Sequence, residues 1–150
     1  MASAYRNDLT ILRAYAVLAV IMFHSGFNWA SGGYIGVDIF FVLSGYLITN
    51  SIKSNIEKEQ FSFSSFYIQR SLRILPAAIT VIVITGFVGT KVLFPKELIE
   101  LFLSIQSNLY LQGNTWASKS INYFGIGVEF KPLIHFWSLS IELQYYILFP

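Results

Sequence analysis

Arg13 and His24 lie inside the first apolar stretch of the sequence, where an ionisable side chain is costly and indicates function. They are eleven residues apart, so on a helix they share one face and stand about 16 Å apart along its axis. Asp38, early in the second apolar stretch, is expected at a depth similar to that of His24. Its carboxylate would orient the imidazole and raise its basicity. The three residues predict a polar track that can move a proton.

Each of these residues also has a purely structural interpretation. Arg13 alone fits an arginine that snorkels to the membrane interface. His24 alone fits a histidine that is hydrogen-bonded between helices. Because the two share one helix face, the polar track is the favoured interpretation.

A second histidine and a carboxylate lie in the last apolar stretch. His135, Ser138 and Glu142 are offset by three, four and seven residues, which places them on one helix face. Such a face entering the membrane from outside predicts a polar cluster that supports the function. A structural network between helices is the alternative.

Arg70 and Arg73 form a cationic pair shortly before Pro76. Being three residues apart, they share one helix face, and two guanidiniums on one face suit bidentate binding of phosphate. A nucleotide-bearing cofactor is a ligand of that kind. The alternative is that the pair anchors the chain against lipid headgroups on the cytoplasmic side.

The composition indicates what positions these residues. Hydrophobic residues make up 55% of the 150-residue chain and charged residues 12%, about half the share in a soluble domain, which predicts a membrane protein. Without cysteine, and without a zinc-ligand pair of histidines, no metal site is predicted. The net charge of +2 gives no reason to expect nucleic acid, so the lipid bilayer is the expected partner.

Four apolar segments predict membrane-spanning helices, each of which needs about 20 apolar residues. They cover about 9–29, 34–49, 75–94 and 133–150. The first is interpreted as a retained span and not as a signal peptide, because it contains Arg13 and further spans follow. Gly36 and Gly45 in the second would permit close helix packing. Since the last segment is still apolar at Pro150, residues 1–150 are expected to be the amino-terminal part of a larger domain.

Basic residues indicate the orientation, because cytoplasmic loops carry an excess of lysine and arginine. The amino-terminal region and the loop 50–74 hold six, namely Arg6, Arg13, Lys53, Lys58, Arg70 and Arg73. The opposite side holds four, namely Lys91, Lys96, Lys119 and Lys131. The amino terminus is therefore predicted to lie in the cytoplasm.

Two segments between the spans are expected to be helical. Pro95 opens a stretch with apolar residues at helical spacing, which predicts an amphipathic helix on the outer membrane surface or, alternatively, a lid over a site. On the inner side, Ser64 and Ser65 are expected to cap a short helix that carries Arg70 and Arg73.

Four motifs in this order resemble the integral-membrane acyltransferase-three family, which includes O-antigen and Nod-factor O-acetyltransferases. They are LRAYAVLAVIMFH at 12–24, GVDIFFVLSGYLI at 36–48, FYIQRSLRILP at 66–76 and HFWSLSIELQYY at 135–146. Together they cover much of the chain and are far more specific than any one alone. The resemblance implies an all-α, polytopic transmembrane bundle of about ten helices, of which about four are present here.

The resemblance also implies an activity, namely transfer of an acyl group, usually acetyl, from acyl-CoA to a hydroxyl of a cell-surface glycan. The acceptor is left open among lipopolysaccharide, a lipid-linked glycan and peptidoglycan. Acyl-CoA would be the donor substrate, and no permanently bound cofactor is implied. Arg70 and Arg73 would hold the CoA phosphates at the cytoplasmic mouth. His24 would be the base that takes the hydroxyl proton, and Arg13 would line the route of the pantetheine arm. The membrane would be the bacterial inner membrane.

Two other functions are consistent with the sequence. A proton-coupled transporter could use Arg13, His24, Asp38 and Glu142 as a relay, although the chain contains no repeated halves. An inactive, truncated membrane fragment is the other. Flux of a solute without acyl transfer would indicate the first, and a stop codon after residue 150 would favour the second.

Overall fold

The structure is a computed structural model that describes residues 6–120 and 131–150. All regular elements in those residues are helical: α1 Asn7–His24, a 3₁₀ helix Asn28–Ala30, α2 Ile35–Glu57, α3 Phe63–Val92, α4 Pro95–Leu109, α5 Gly113–Ser120 and α6 Phe136–Leu148. The predicted all-α class is confirmed. All of the predicted site residues fall within the described residues.

Three helices of the described chain are long and apolar enough to cross a membrane, namely Asn7–His24, Asn28–Glu57 and Phe63–Val92. Helices suit a bilayer because they satisfy their backbone hydrogen bonds internally. The chain is therefore an integral membrane protein. The fourth predicted span corresponds to α6, whose 13 residues rise about 20 Å, less than the ~30 Å of the hydrocarbon core. The fourth crossing and the cytoplasmic amino terminus stay predictions.

The first compact unit, residues 6–61, is an antiparallel pair formed by α1 and α2. At one end the Arg6 guanidinium donates a hydrogen bond to the Tyr46 hydroxyl at 3.3 Å. Further along, Gly36 lies directly against the backbone carbonyl of Ala16. Only a residue without Cβ permits this approach, so the predicted close packing at Gly36 is confirmed.

A methyl group at Gly36 is expected to destabilise the α1–α2 pair. A Cβ at this position would overlap the Ala16 carbonyl oxygen and lie 2.7 Å from Val20 Cγ2, and overpacking costs about 1–3 kcal/mol. Gly36→Ala should lower the midpoint of thermal unfolding of the protein in detergent by several degrees. Gly32→Ala is the control, because a Cβ there meets no atom within 4 Å. Equal midpoints for the two variants would contradict this packing.

In the second unit, α3 begins earlier than the sequence predicts. The expectation of a separate short helix capped by Ser64 and Ser65 is wrong, because the N-cap is Ser62 and α3 runs unbroken through Pro76. The Ser62 hydroxyl accepts a hydrogen bond from the Ser65 N–H at 3.5 Å. Proline removes one helical N–H, but the loss of a single bond does not end a 30-residue helix whose other bonds remain.

Helices α4, α5 and α6 pack together within the second unit. The helix predicted from Pro95 is confirmed as α4, and the face that packs carries both apolar and polar residues. Leu101, Ser104 and Asn108 are buried, whereas Phe102 is 49% exposed. The buried face is partly polar because it meets polar groups of α6, as described below. Phe102 and other apolar residues of α4 stay exposed within the described chain, and the place of the helix at the outer membrane surface stays a prediction.

Candidate functional site

The predicted arginine and histidine both lie on α1, the histidine in its last turn. His24 is exposed, and its ring makes an edge-on contact with Phe23 at 5.1 Å between centroids. Arg13 is half-buried, and its Nε makes no hydrogen bond with any described residue although the atom itself is buried. A buried donor without a partner is uncommon in folded proteins. The helix therefore presents one exposed imidazole and one unsatisfied guanidinium nitrogen, about three turns apart.

The expectation that Asp38 pairs with His24 at a similar depth is wrong. Gly36 contacts Ala16, which lies eight residues, or about 12 Å, before His24 on α1. Because α2 runs antiparallel, Asp38 lies still farther from the level of His24. Two residues also correspond to about 200° around a helix, so Asp38 faces away from α1, and its side chain is exposed. Its place in a supporting cluster stays a prediction.

Arg70 and Arg73 stand on the amino-terminal part of α3, one turn apart. The guanidinium carbon of Arg70 lies 5.7 Å from the ring centroid of Phe66 and 5.7 Å from that of Tyr146. Both distances are within the range of cation–π attraction. Neither arginine forms an ion pair with a carboxylate of the described residues. Arg70 is therefore held beside two aromatic rings, and neither arginine has a counter-ion among the described residues, which is an arrangement suited to an anionic ligand.

The carboxylate of the last motif belongs to this arginine cluster. The Tyr146 hydroxyl donates a hydrogen bond to the Glu142 carboxylate, one turn earlier on α6. The Tyr67 hydroxyl of α3 donates to the carbonyl of Ile147 at 3.4 Å, which joins the amino-terminal part of α3 to the carboxyl-terminal end of α6. The sequence gives no signal for these contacts between α3 and α6, because they join residues about 80 positions apart.

His135 and Ser138, predicted on the same face, lie at the opposite end of α6. His135 is exposed at the N-cap position, and the Ser138 hydroxyl donates to its backbone carbonyl at 3.2 Å. Glu142 follows His135 by seven residues, about 10 Å along the helix. The face is therefore divided, with the histidine at the start of α6 and the carboxylate toward the arginines.

A buried polar network that the sequence analysis missed joins α4, α5 and α6. The Ser140 hydroxyl donates to the Asn108 side-chain oxygen at 3.3 Å, and the Asn108 amide donates to the Ser104 carbonyl at 2.9 Å. The Gln144 amide donates to the carbonyl of Leu111, which holds a left-handed backbone conformation with φ of 58°. Satisfied buried polar groups specify one packing arrangement, so this network fixes α6 against the turn after α4.

A second unpredicted cluster surrounds Lys131. Its ammonium group forms an ion pair with Glu100 at 2.8 Å, donates to the Ser120 carbonyl at 3.2 Å and lies 5.5 Å from the Trp116 ring centroid. The lysine thus ties α4 and α5 to the segment before α6. In residues 6–120 and 131–150, no three histidine or acidic side chains are grouped so as to hold a metal ion.

Comparison with known proteins identifies a family to which the chain is similar. The profile of a family described as "Acyltransferase domain" matches residues 6–150. Among curated proteins, "Putative peptidoglycan O-acetyltransferase YrhL" of Bacillus subtilis is 44% identical over 149 residues, covering 97% of this chain and 23% of its own length. No solved structure matches significantly.

Two further relatives have similar names. "Peptidoglycan O-acetyltransferase OatA" of Listeria monocytogenes is 42% identical over 149 residues, covering 97% of this chain and 24% of the relative. A "Putative O-acetyltransferase" of Staphylococcus aureus is 40% identical over 148 residues, with the same shares covered. The chain thus spans about a quarter of the length of these relatives.

Proposed function

The chain belongs to this acyltransferase-domain family, and from that premise we propose that the protein is a membrane-bound O-acyltransferase. It transfers an acetyl group from acyl-CoA to a hydroxyl of a cell-surface glycan. The names of two relatives favour peptidoglycan as the acceptor over lipopolysaccharide. Acyl-CoA is a substrate in this proposal and is not retained between turnovers.

The observation that carries the proposal is the arginine pair of α3. Arg70 and Arg73 have no carboxylate partner among the described residues, and Arg70 is held beside two aromatic rings. Arginine is the side chain best suited to bidentate contacts with phosphate oxygens. CoA carries several phosphate charges, so two adjacent guanidiniums supply both the charge and the geometry for its nucleotide end. With the predicted orientation, this end of α3 lies at the cytoplasmic face, where acyl-CoA is made.

His24 is the proposed general base. As the acceptor hydroxyl oxygen attacks the thioester carbonyl carbon, His24 takes the hydroxyl proton. The new C–O ester bond forms, the C–S bond breaks, and CoA leaves as the thiolate, which regains a proton. Arg13 lies about three turns from His24 on the same helix face. Its unsatisfied nitrogen is proposed to line the route of the pantetheine arm, whose amide oxygens can accept a hydrogen bond.

The proposal predicts acetyl transfer across a membrane. The full-length protein in proteoliposomes, supplied with acetyl-CoA on one side and peptidoglycan glycan strands on the other, should produce alkali-labile acetyl esters on the glycan. Liposomes without protein are the control for uncatalysed transfer, and O-antigen polysaccharide is the competing acceptor. Proton-coupled flux of a solute without ester formation would overturn the proposal in favour of a transporter. Esters on O-antigen alone would overturn only the choice of acceptor.

A further inference from the structure

We propose that Tyr146 is a positioning residue of the donor site. Its ring, held in place through Glu142, fixes the Arg70 guanidinium for the phosphates of acyl-CoA. The inference rests on the proposed function, because it names a residue that acts on acyl-CoA only through Arg70.

Both rings that contact Arg70 are buried. Tyr146 and Phe66 are only 6% and 8% exposed, so both rings are fixed by packing, one on α6 and the other on α3. The Arg70 guanidinium carbon lies 5.7 Å from the centroid of each ring. An arginine side chain loses considerable rotamer freedom when it is ordered by a ligand. Two fixed rings order Arg70 beforehand, so less of that entropy is lost when acyl-CoA binds.

Contact with the two rings leaves the N–H donors of the Arg70 guanidinium available. A guanidinium can lie on aromatic faces and still present its N–H groups in its own plane. Contact with Tyr146 and Phe66 therefore positions Arg70 without using the donors that bind phosphate. An ion pair with a carboxylate would hold Arg70 equally firmly but would occupy those donors and cancel its charge.

A carboxylate near Arg70 is engaged by the same tyrosine. Glu142 accepts a hydrogen bond from the Tyr146 hydroxyl, one helical turn away. This bond satisfies the buried hydroxyl, as buried tyrosines require, and limits rotation of the Tyr146 side chain. It also engages the carboxylate with a neutral donor on its own helix. No ion pair links Arg70 to a carboxylate of the described residues, so its N–H donors remain available to a ligand.

The inference predicts an effect on donor affinity that depends on Arg70. In the full-length protein, Tyr146→Leu should raise the KM for acetyl-CoA about 2- to 30-fold, the range expected for loss of one cation–π contact, with little change in kcat. Adenosine 3′,5′-bisphosphate, the phosphate-bearing end of CoA, should inhibit the variant more weakly by the same factor. Tyr146→Phe, which keeps the ring, should lose less. In an Arg70→Ala background, Tyr146→Leu should cause no further rise in KM.

Tyr145→Leu is the matched control. Tyr145 neighbours Tyr146 in sequence but stacks on Phe149, with centroids 4.8 Å apart. Its replacement should leave the KM for acetyl-CoA unchanged. The inference is overturned if Tyr146→Leu lowers kcat alone, or if its effect adds fully to that of Arg70→Ala. If Arg70→Ala itself leaves the KM for acetyl-CoA unchanged, the proposed donor site is wrong as well. The single Arg70→Ala variant therefore distinguishes failure of the donor site from failure of the role of Tyr146 alone.

Discussion

Replacing His24 with alanine is expected to lower kcat for acetyl transfer by about 100- to 10,000-fold, the contribution typical of a general base. In the proposed mechanism the imidazole takes the hydroxyl proton, and it is exposed in the last turn of α1, where an acceptor can approach it. Alanine removes that base but leaves the helix intact, because the side chain is not part of the buried core. The measurement is the initial rate of ester formation in proteoliposomes at saturating acetyl-CoA.

The control for this prediction is the next residue. Ser25 is exposed, and its hydroxyl donates a hydrogen bond to the Ile21 carbonyl of its own helix at 2.8 Å. Ser25→Ala should therefore keep the parent rate, and both variants should reach the membrane at the parent level. A His24→Ala protein that is inserted normally and acetylates at the parent rate would refute the role of His24 as the base.

The sequence predicted what depends on local pattern. Apolar length and the scarcity of charge predicted the long helices, and the spacing of Arg13 with His24 predicted a shared face that α1 retains. Proline at the first turn predicted the start of α4 at Pro95, where Glu97 accepts a hydrogen bond from the Phe94 N–H at 3.1 Å. Each of these signals lies within a few residues of the feature that it predicts.

What depends on helix register could not be predicted. Asp38 was expected beside His24 because His24 lies late in the first segment and Asp38 early in the second, which would place both toward the outer side. The contact of Gly36 with Ala16 sets a different register and places Asp38 on the far side of α2. Gly36 was recognised as a packing position, but the sequence does not say which residue of α1 it meets.

Helix α5 and the buried polar network were not predicted, because the sequence around them carries only weak local signals. Gly113–Ser120 is rich in glycine, asparagine, threonine and serine, which are poor helix formers, so its helix depends on packing against α6. Gly113 is required there, because a Cβ would lie 2.6 Å from the Ser140 hydroxyl. Such contacts between distant positions arise only when the helices are assembled. The contact of Tyr146 with Arg70 was not predicted for the same reason.

Replacing both Arg70 and Arg73 with alanine is expected to raise the KM for acetyl-CoA by about 100-fold or more. A hydrogen bond to a charged group contributes about 1.5–3 kcal/mol, which corresponds to about 10- to 150-fold for each arginine. The value of kcat at saturating donor should change far less, because the phosphates are remote from the thioester. The measurement is the dependence of the initial rate on acetyl-CoA concentration, for the double variant and for each single variant.

Two comparisons separate donor binding from anchoring to lipid headgroups. Lysine at both positions keeps the charge but loses the bidentate geometry, so donor binding predicts an intermediate KM, whereas headgroup anchoring predicts full restoration. Lys53→Ala removes a cation of the same predicted cytoplasmic side that lies 3.9 Å from Glu57, and it should leave the KM unchanged. If the double alanine variant lost membrane insertion but kept its KM, the arginines would be anchors. A raised KM with normal insertion requires that they contact the donor, since lipid anchoring has no dependence on acetyl-CoA concentration.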